Sequence, residues 1–289
     1  DDDTADMATR FARDDPRFHL CKQAPSGLVA ALNHGFAHCR APFVARMDGD
    51  DVSHPARLAE QLALLDARPD IGAASCQVRL FPRRDLRVGL LRYERWLNGL
   101  VEPHEIAADM FVECPVAHPT VMMRRQVLED CGGYQDHGWP EDYDLFLRLH
   151  TRGVRFAKVP RPLFCWCDRP ERYQRTSPNC TFEAFIRCKL HYLRPRVDGA
   201  VAVRGAGPTG LQVLRQMRAL AWDVHLLVDV HRGRIGQRID GIPVVAPHDH
   251  RLRALPLLVV VGVEGARDQI RAELRTEGRV EGRDHWFLA

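Results

Sequence analysis

The sequence predicts an α/β protein with two sheet-containing parts, and three observations indicate this class. Short apolar runs, such as residues 43–47 and 257–263, have the length and composition of buried strands. Helical patterns, in which apolar residues recur every three or four positions, lie between these runs. Acidic or glycine-rich turns follow two of the runs directly, which is where open α/β sheets place their ligands.

The composition limits the classes of function. The chain has 289 residues, of which 45% are hydrophobic and 27% charged, as in ordinary soluble globular proteins. Its net charge of +3, from 41 basic and 38 acidic residues, is too balanced to indicate a nucleic-acid partner. No apolar run approaches the ~18 residues of a membrane span, and no secretory signal pattern is visible, so we expect a cytoplasmic protein.

The nine cysteines are odd in number and form no C-x-x-C pair. We expect reduced, mostly buried thiols, with zinc binding or disulfides as the less favoured alternatives.

The first part of the chain alternates predicted helices and strands. Helices are predicted at residues 4–13, 27–39 and 57–65, and strands at 17–21, 43–47 and 71–78. Residues 82–111 are irregular and amphipathic. The mixture of arginines and apolar residues at 87–96 indicates either a lid or acceptor groove, or a solvated helix that covers the core.

The elements that follow frame two further motifs. A strand is predicted at residues 120–123, a helix from Pro140 to a stop at Gly153, and a strand at 154–159. Residues 161–175 are basic and loop-like, and a helix is predicted at 182–193. His118 precedes a proline and is expected at the start of a strand. Glu141 and Asp142 are expected in the first turn of the helix, where acidic residues are common for stability alone.

The acidic cluster after the strand at 43–47 is the central candidate site. Asp48, Asp50 and Asp51 surround a single glycine at the expected carboxyl end of that strand. Mg²⁺ in proteins is usually held by one or two carboxylates together with substrate phosphates. The pattern therefore indicates a metal-diphosphate site, against the alternative of an acidic turn that only begins a helix.

Three segments, in this order, resemble a family 2 glycosyltransferase with the GT-A fold: ALNHGFAHCRAPFVARMDGDDVSHPARLAEQLALL, PVAHPTVMMRR and GGYQDHGWPEDYDLFLRLHTRGVRFAKVP. The resemblance covers residues 3 to about 190. It implies a GT-A-type mixed sheet with helices on both faces. It also implies a metal-dependent enzyme that uses Mg²⁺ or Mn²⁺ and a nucleotide-sugar donor.

The resemblance assigns roles to individual residues. It places the metal ligands at Asp48 and Asp50 and the catalytic base at Asp142. Residues expected on the donor side are Asp51, Arg172 and Arg175. Residues expected on the acceptor side are Glu141, His118 and Trp139.

The implied reaction is single displacement with inversion at the anomeric carbon, because one base and one metal suffice. The expected acceptor is a glycan or a lipid-linked glycan in cell-surface polysaccharide synthesis. A lipid-linked acceptor would bring the protein to the inner face of the membrane as a peripheral protein.

Family members normally begin with a βαβ segment that ends in D-D-G-S, and the resemblance implies that this first βαβ segment is missing here. Asp1, Asp2 and Asp3 are interpreted as its remnant. One alternative is therefore a catalytically inactive, N-terminally truncated remnant.

The C-terminal part is expected to be a small Rossmann-like α/β domain at residues 198–289, after a glycosyltransferase domain at 1–194. An apolar strand at 200–203 runs into Gly205, Gly207 and Gly210, and Asp229 follows a second strand. These four residues satisfy the dinucleotide fingerprint and are candidates for nucleotide binding. An NAD(P)-dependent oxidoreductase is the alternative function, although no catalytic pair lies nearby, so NAD(P) is not expected as a cofactor.

Overall fold

The computed structural model describes residues 3–169, 172–263 and 265–289. The chain divides into two compact units, Asp1–Ala41 and Pro42–Ala289. Asp1 and Asp2, interpreted above as part of a lost segment, lie outside the described residues.

The first unit contains two helices, α1 (Thr4–Asp14) and α2 (Leu28–His38), both at positions predicted from the sequence. The strand predicted at residues 17–21 is wrong, because none is present there. The Asp15 carboxylate instead accepts hydrogen bonds from the Arg17 N–H at 2.9 Å and from its guanidinium at 2.6 Å. These contacts fix a local turn. None of the described residues up to Ala41 is buried.

The second unit begins with a five-stranded mixed sheet in the order β1-β4-β3-β5-β2. The long strands β3 and β5 are parallel, and the other pairs are antiparallel. The strands are β1 (Phe43–Ala45), β2 (Val52–Ser53), β3 (Ile71–Phe81), β4 (Met122–Arg124) and β5 (Arg155–Cys167). A Cβ at Gly72 would lie 2.5 Å from Val154 Cγ1, so helix and strand neighbours pack tightly against β3.

Strand β5 is longer than predicted. The prediction of a basic loop at residues 161–175 is wrong for residues 161–167, which continue the strand to Cys167. The strand continues because it pairs with β3 on one side and with β2 on the other. Its late residues Leu163 and Phe164 are buried in the core, which the arginines around them obscure in the sequence.

Helices cover this sheet, and residues 82–111, predicted to be irregular, form two of them. The helices are α3 (Arg57–Ala67), α4 (Val88–Gly99), α5 (Pro103–Asp109), α6 (Arg125–Asp130), α7 (Glu141–Thr151), α8 (Tyr173–Thr176) and α9 (Phe182–Leu193). In α4, Leu97 is buried, and Tyr93 and Trp96 pack against the same apolar cluster. Helix α4 therefore covers the core, the second of the two interpretations given above.

A second sheet of six strands follows, in the order β11-β10-β6-β7-β9-β8. All neighbours are parallel except β8 and β9. The strands are β6 (Val201–Arg204), β7 (Val224–Val228), β8 (Arg238–Ile239), β9 (Ile242–Val245), β10 (Leu257–Val259) and β11 (His285–Phe287), and the helices are α10 (Pro208–Ala219) and α11 (Ala266–Thr276). The mixed α/β architecture predicted from the sequence is confirmed.

The two sheets belong to one compact unit and are joined by buried polar contacts. Lys189 Nζ donates to the carbonyl oxygens of Val112 at 2.7 Å and of Leu288 at 2.9 Å. Asp109 accepts hydrogen bonds from Trp96 and Arg271. A domain boundary near residue 195 stays a prediction. No helix in the described parts of the chain combines the length and apolar character that crossing a bilayer requires.

Candidate active site

The acidic turn, residues 48–51, follows β1 and holds three carboxylates in three environments. Asp48 forms an ion pair with Arg46, with 2.5 Å between Oδ2 and Nη1. Asp50 is exposed to solvent. Asp51 is buried, and its Oδ1 accepts a hydrogen bond of 2.7 Å from the backbone N–H of Cys167. The last residue of β5 therefore fixes the position of the turn.

The other carboxylate oxygen of Asp51, Oδ2, is buried without a hydrogen-bond partner among the described residues. Burial raises the pKa of Asp51 to about 6, and the negative charges of Asp48 and Asp50 contribute to the rise. Leaving a buried acceptor without a partner costs about 1–3 kcal/mol. The acidic turn is therefore a place where a positive charge would be stabilising.

The three side chains share one turn, but the structure does not bring their carboxylate oxygens together. Among the described residues, one set of three metal-ligating side chains has all its donor atoms within 4.8 Å of one another, and it lies outside this turn. Asp48 is instead paired with Arg46. The geometry is that of a turn with separate carboxylates, not of a closed three-carboxylate cage.

Glu141 and Asp142, in the first turn of α7, lie close to the acidic turn. Burial raises the pKa of Glu141 to about 7, and the charges of Asp142 and Asp48 add to the rise. Burial also raises the pKa of Asp142. The positive charge of Arg46 lowers the pKa of both Glu141 and Asp142 and so offsets part of the effect of burial. Arg46 therefore contacts the acidic turn and also lies near the start of α7. Glu141 is buried, whereas Asp142 is partly exposed.

His118 lies in a 3₁₀ turn, His118–Thr120, before β4 and is buried. Its Nε2 is 2.9 Å from the Tyr134 hydroxyl, and its Nδ1 is 3.9 Å from Glu141 Oε1. Burial and the Arg46 charge hold the pKa of His118 well below its usual range. The imidazole is therefore neutral, and it meets Glu141 as a dipole and not as a cation.

A buried ion pair, which the sequence did not reveal, holds α7 in place. Asp144 Oδ2 and Arg148 Nη2 are 2.7 Å apart, and Asp144 Oδ1 accepts hydrogen bonds from Trp139 Nε1 at 2.8 Å and the Tyr192 hydroxyl at 2.7 Å. Arg148 also donates to the Gly133 carbonyl at 2.8 Å. The indole N–H of Trp139, predicted on the acceptor side, is thus committed to Asp144. This network orients the start of α7.

Arg57 is a second residue that the sequence analysis missed. It is buried, and it donates to the carbonyl oxygens of Pro119 at 2.8 Å and Arg46 at 3.0 Å. It thereby ties the strand that precedes the acidic turn to the turn that carries His118. A signal was available, because Arg57, Gln61 and Leu65 recur every four residues on the buried face of α3.

Arg172 and Arg175 follow β5 in the chain. The Arg172 guanidinium stacks over the Trp166 ring at 4.3 Å, and its charge acts to lower the pKa of Asp51. Arg172 also contacts the Asp168 carboxylate, at 3.5 Å, and Arg175 forms two shorter contacts with it, at 2.7 and 3.0 Å. Both guanidinium groups therefore contact Asp168, and Arg172 also lies near the acidic turn.

The Gly-rich turn of the second sheet lines a cavity of about 690 Å³ at the carboxyl ends of β6, β7 and β10. A Cβ at Gly205, where φ is +120°, would lie 2.3 Å from the Val260 oxygen, and one at Gly210 would lie 1.6 Å from the Gly205 oxygen. Both glycines are therefore required by backbone packing. A Cβ at Gly207 would meet nothing within 4 Å, so this residue borders open space.

Asp229 lines the same cavity, but local groups occupy its carboxylate. Its Oδ1 accepts the His231 N–H at 2.8 Å. Its Oδ2 accepts the Ala206 N–H at 3.2 Å and a guanidinium N–H of Arg234 at 2.9 Å. Asp229 therefore closes the Gly-rich turn, and a ligand hydroxyl would have to compete with these donors.

Residues 1–132 match the model of one protein family, Glycosyl transferase family 2. The matched segment contains the acidic turn and His118, and it ends before Glu141 and Asp142.

Three curated relatives have similar sequences. The chain is 32% identical to an uncharacterized glycosyltransferase of Haemophilus influenzae, over 46% of this chain and 48% of that protein. It is 30% identical to the amylovoran biosynthesis glycosyltransferase AmsE of Erwinia amylovora, over 53% and 55%. It is 32% identical to the O-antigen biosynthesis glycosyltransferase WbnJ of Escherichia coli, over 58% and 61%. The chain thus spans about half the length of the curated relatives it matches.

Proposed function

We propose, from the match of residues 1–132 to the model of glycosyl transferase family 2, that the protein transfers a sugar from a nucleotide-sugar donor to an acceptor hydroxyl. The observation that carries the proposal is the meeting of two acidic motifs around Arg46. One motif follows β1 and the other begins α7. A donor diphosphate and an acceptor hydroxyl bound between the two motifs would therefore have carboxylates on both sides.

The acidic turn fits a divalent cation by its chemistry. Mg²⁺ and Mn²⁺ prefer oxygen ligands, and the partnerless Asp51 Oδ2 shows that the turn has acceptor capacity to spare. We assign Asp48 and Asp50 as metal ligands, with Asp51 beside them on the donor side. Since the carboxylates do not converge, donor phosphates would complete the ligand set. When bound, the cation would stabilise the charge of the leaving diphosphate.

Asp142 is assigned as the base that takes the proton of the acceptor hydroxyl. It is partly exposed, and its raised pKa brings it nearer to the neutral pH at which a general base works best. Glu141 is buried against His118, and the two are assigned to orient the base on the acceptor side together with Trp139. With one base and no carboxylate needed as nucleophile, we propose single displacement with inversion at the anomeric carbon.

Arg172 is assigned to the donor diphosphate because its charge already acts on Asp51. Arg175 is assigned to the same end of the site, where it would have to leave Asp168 to bind phosphate. The names of two relatives place them in amylovoran and O-antigen biosynthesis. We therefore propose a glycan or lipid-linked acceptor in cell-surface polysaccharide synthesis, and action as a peripheral protein at the inner face of the membrane.

The test is donor hydrolysis or transfer by the purified chain with a panel of nucleotide sugars. We expect turnover in Mg²⁺ or Mn²⁺, its loss in EDTA, and its recovery when metal is returned. Turnover that EDTA leaves unchanged would contradict metal dependence. The absence of turnover with every donor, in a chain that melts cooperatively, would favour the inactive remnant.

For the cavity beside Gly207 we propose a phosphate-containing ligand, because α10 begins at the Gly-rich turn and its first residues line the cavity, and the amino end of a helix favours an anion. The proposal includes no redox step. Titration with NADH and NADPH, followed by fluorescence and by a turnover assay, separates the alternatives. Micromolar binding with turnover would establish an oxidoreductase and overturn this assignment.

A further inference from the structure

Cys21, His34 and His38 form a cluster in the first unit that the proposed transferase does not use. One donor atom of each side chain, a thiol sulfur and two imidazole nitrogens, lies within 4.8 Å of the other two. Ligands about 2.0–2.3 Å from one zinc ion in a tetrahedron are separated by roughly 3.3–3.8 Å. Small rotations of the side chains would therefore bring the three atoms to coordinating distance.

The two histidines are held in a geometry suited to a metal. They lie four residues apart on α2, so they project from the same face of the helix, with ring centroids 4.7 Å apart. The His38 Nδ1 is 2.8 Å from the His34 carbonyl oxygen. A proton on Nδ1 would be used in this bond and leave the Nε2 lone pair free, which is how metal-ligating histidines are commonly fixed.

The sequence spacing is consistent with the same chemistry. Cys21 is followed by twelve residues, His34, three residues and His38. The second half of a C₂H₂ zinc finger has this spacing, with a cysteine, twelve residues and two histidines on a helix. A mixed thiolate and imidazole set favours Zn²⁺ over Mg²⁺ or Mn²⁺, which take oxygen ligands.

The described residues of the first unit form no buried apolar core that would otherwise order it. None of its described residues is buried. Small segments without a sufficient core are commonly stabilised by a metal or by disulfides. A metal here would fix the segment at Cys21 to helix α2.

We propose that Cys21, His34 and His38 bind one Zn²⁺ ion, with water or another exchangeable group as the fourth ligand. The ion orders the first unit and is separate from the divalent cation assigned to the acidic turn. Thiolate and neutral imidazole are the binding forms, so Zn²⁺ uptake releases protons and weakens as the pH falls.

The test uses the full chain, stripped of metal and titrated with Zn²⁺ and with Co²⁺ as a spectroscopic probe. We expect one equivalent of tightly bound metal and a thiolate-to-Co²⁺ charge-transfer band. Cys21→Ser, His34→Gln and His38→Gln should each weaken binding at least tenfold. Cys39→Ser and His19→Gln, which change neighbouring residues outside the cluster, should not. Equal affinity in Cys21→Ser and Cys39→Ser, or no stoichiometric binding, would overturn the proposal.

A second measurement needs no variant and so does not depend on the folding of one. Zn²⁺ should protect Cys21 of the wild-type chain from alkylation, as read by peptide mass spectrometry. Mg²⁺ at the same concentration should leave Cys21 reactive. Alkylation of Cys21 at the same rate with and without Zn²⁺ would count against the site.

Discussion

The Asp51 carboxylate accepts a hydrogen bond of 2.7 Å from the backbone N–H of Cys167, a residue 116 positions further along the chain. The bond joins the acidic turn to the last residue of β5. It satisfies Oδ1 and leaves Oδ2 buried without a partner. Arg172 stands five residues after Cys167 in the chain, and its charge acts on Asp51, so the end of β5 lies close to both groups of the proposed donor site.

Asp51→Asn should separate the charge of this carboxylate from its structural hydrogen bond. The amide oxygen can still accept from Cys167 N–H, while the negative charge is lost. We expect metal-dependent turnover to fall about 100-fold, since charge stabilisation of this kind is worth a few kcal/mol. The melting temperature should not fall, because the buried charge is itself unfavourable.

Turnover against Mg²⁺ concentration and thermal melting are the measurements for Asp51→Asn. The matched control is Asp66→Asn, on an exposed position of α3. If the turnover of Asp51→Asn depends on Mg²⁺ concentration as that of the wild type does, Asp51 does not contribute to the donor site.

Asp142→Asn and Glu141→Gln should differ in their effects on kcat. If Asp142 is the base, its amide should lower kcat by about 10²–10⁴ with little change in the donor KM. Glu141→Gln should lower kcat by less, because this side chain is buried against His118 and is assigned to orient the base, not to take the proton. Steady-state kinetics on both variants decide the assignment, and the reverse order would make Glu141 the base.

The contribution of Glu141 to the stability of the protein should decrease as pH rises from about 4.5 to 7. Burial, with the charges of Asp142 and Asp48, raises the pKa of Glu141 from its ordinary 4.5 to about 7 in the folded state. Between these two values this side chain binds more protons in the folded state than in the unfolded state, so its contribution to the free energy of unfolding falls as pH rises. The loss is on the order of 3 kcal/mol, at about 1.4 kcal/mol per pKa unit over the shift from 4.5 to about 7.

Urea unfolding of wild type and of Glu141→Gln at pH 5 and pH 8 measures this decrease. The variant should be the more stable of the two at pH 8 and similar to wild type at pH 5. Equal stability of the two proteins at both values would show that the carboxylate is not buried as described.

The elements with strong local patterns were predictable, and those that depend on distant partners were not. Helix α9 was predicted with its observed bounds, and its signals are local: the Thr181 side chain accepts a hydrogen bond from the Ala184 N–H at its start. The second half of β5 was missed because its strand character comes from pairing with β2 and β3 across long sequence distances.

At the site, the acidic residues could be selected from the sequence because they cluster near element ends. Arg46 could not, since its role depends on two motifs that meet only after folding. Asp144 was likewise missed, because one buried acid in a helix rich in acids gives no separate signal until its partners are known.

Asp144→Ala should destabilise the protein by about 3–5 kcal/mol, because it leaves the Arg148 guanidinium buried without its partner. Adding Arg148→Met should recover part of the loss, since the unpaired charge is then removed. Chemical denaturation of the single and double variants measures both changes, with Asp66→Ala as the exposed control. A double variant less stable than the single one would contradict this account.

Gly210→Ala and Gly207→Ala should behave differently, although they lie three residues apart. The methyl group at position 210 would lie 1.6 Å from the Gly205 oxygen, so Gly210→Ala should unfold or strongly destabilise the second sheet. The methyl group at 207 meets open space, so Gly207→Ala should keep its melting temperature but weaken binding of a phosphate-containing ligand. Equal melting temperatures for the two variants would refute the packing argument.

The Lys189 ammonium group donates to a carbonyl 77 residues before it and to another 99 residues after it. Neither carbonyl can move away without leaving a buried charge partly unsatisfied, and burial already lowers the pKa of this lysine. Local unfolding of the segment around Leu288 and of the segment around Val112 should therefore require the same free energy. Hydrogen exchange should then show equal protection of the backbone amides in both segments. The two sheets would then unfold in one transition, and limited proteolysis would release no stable C-terminal fragment.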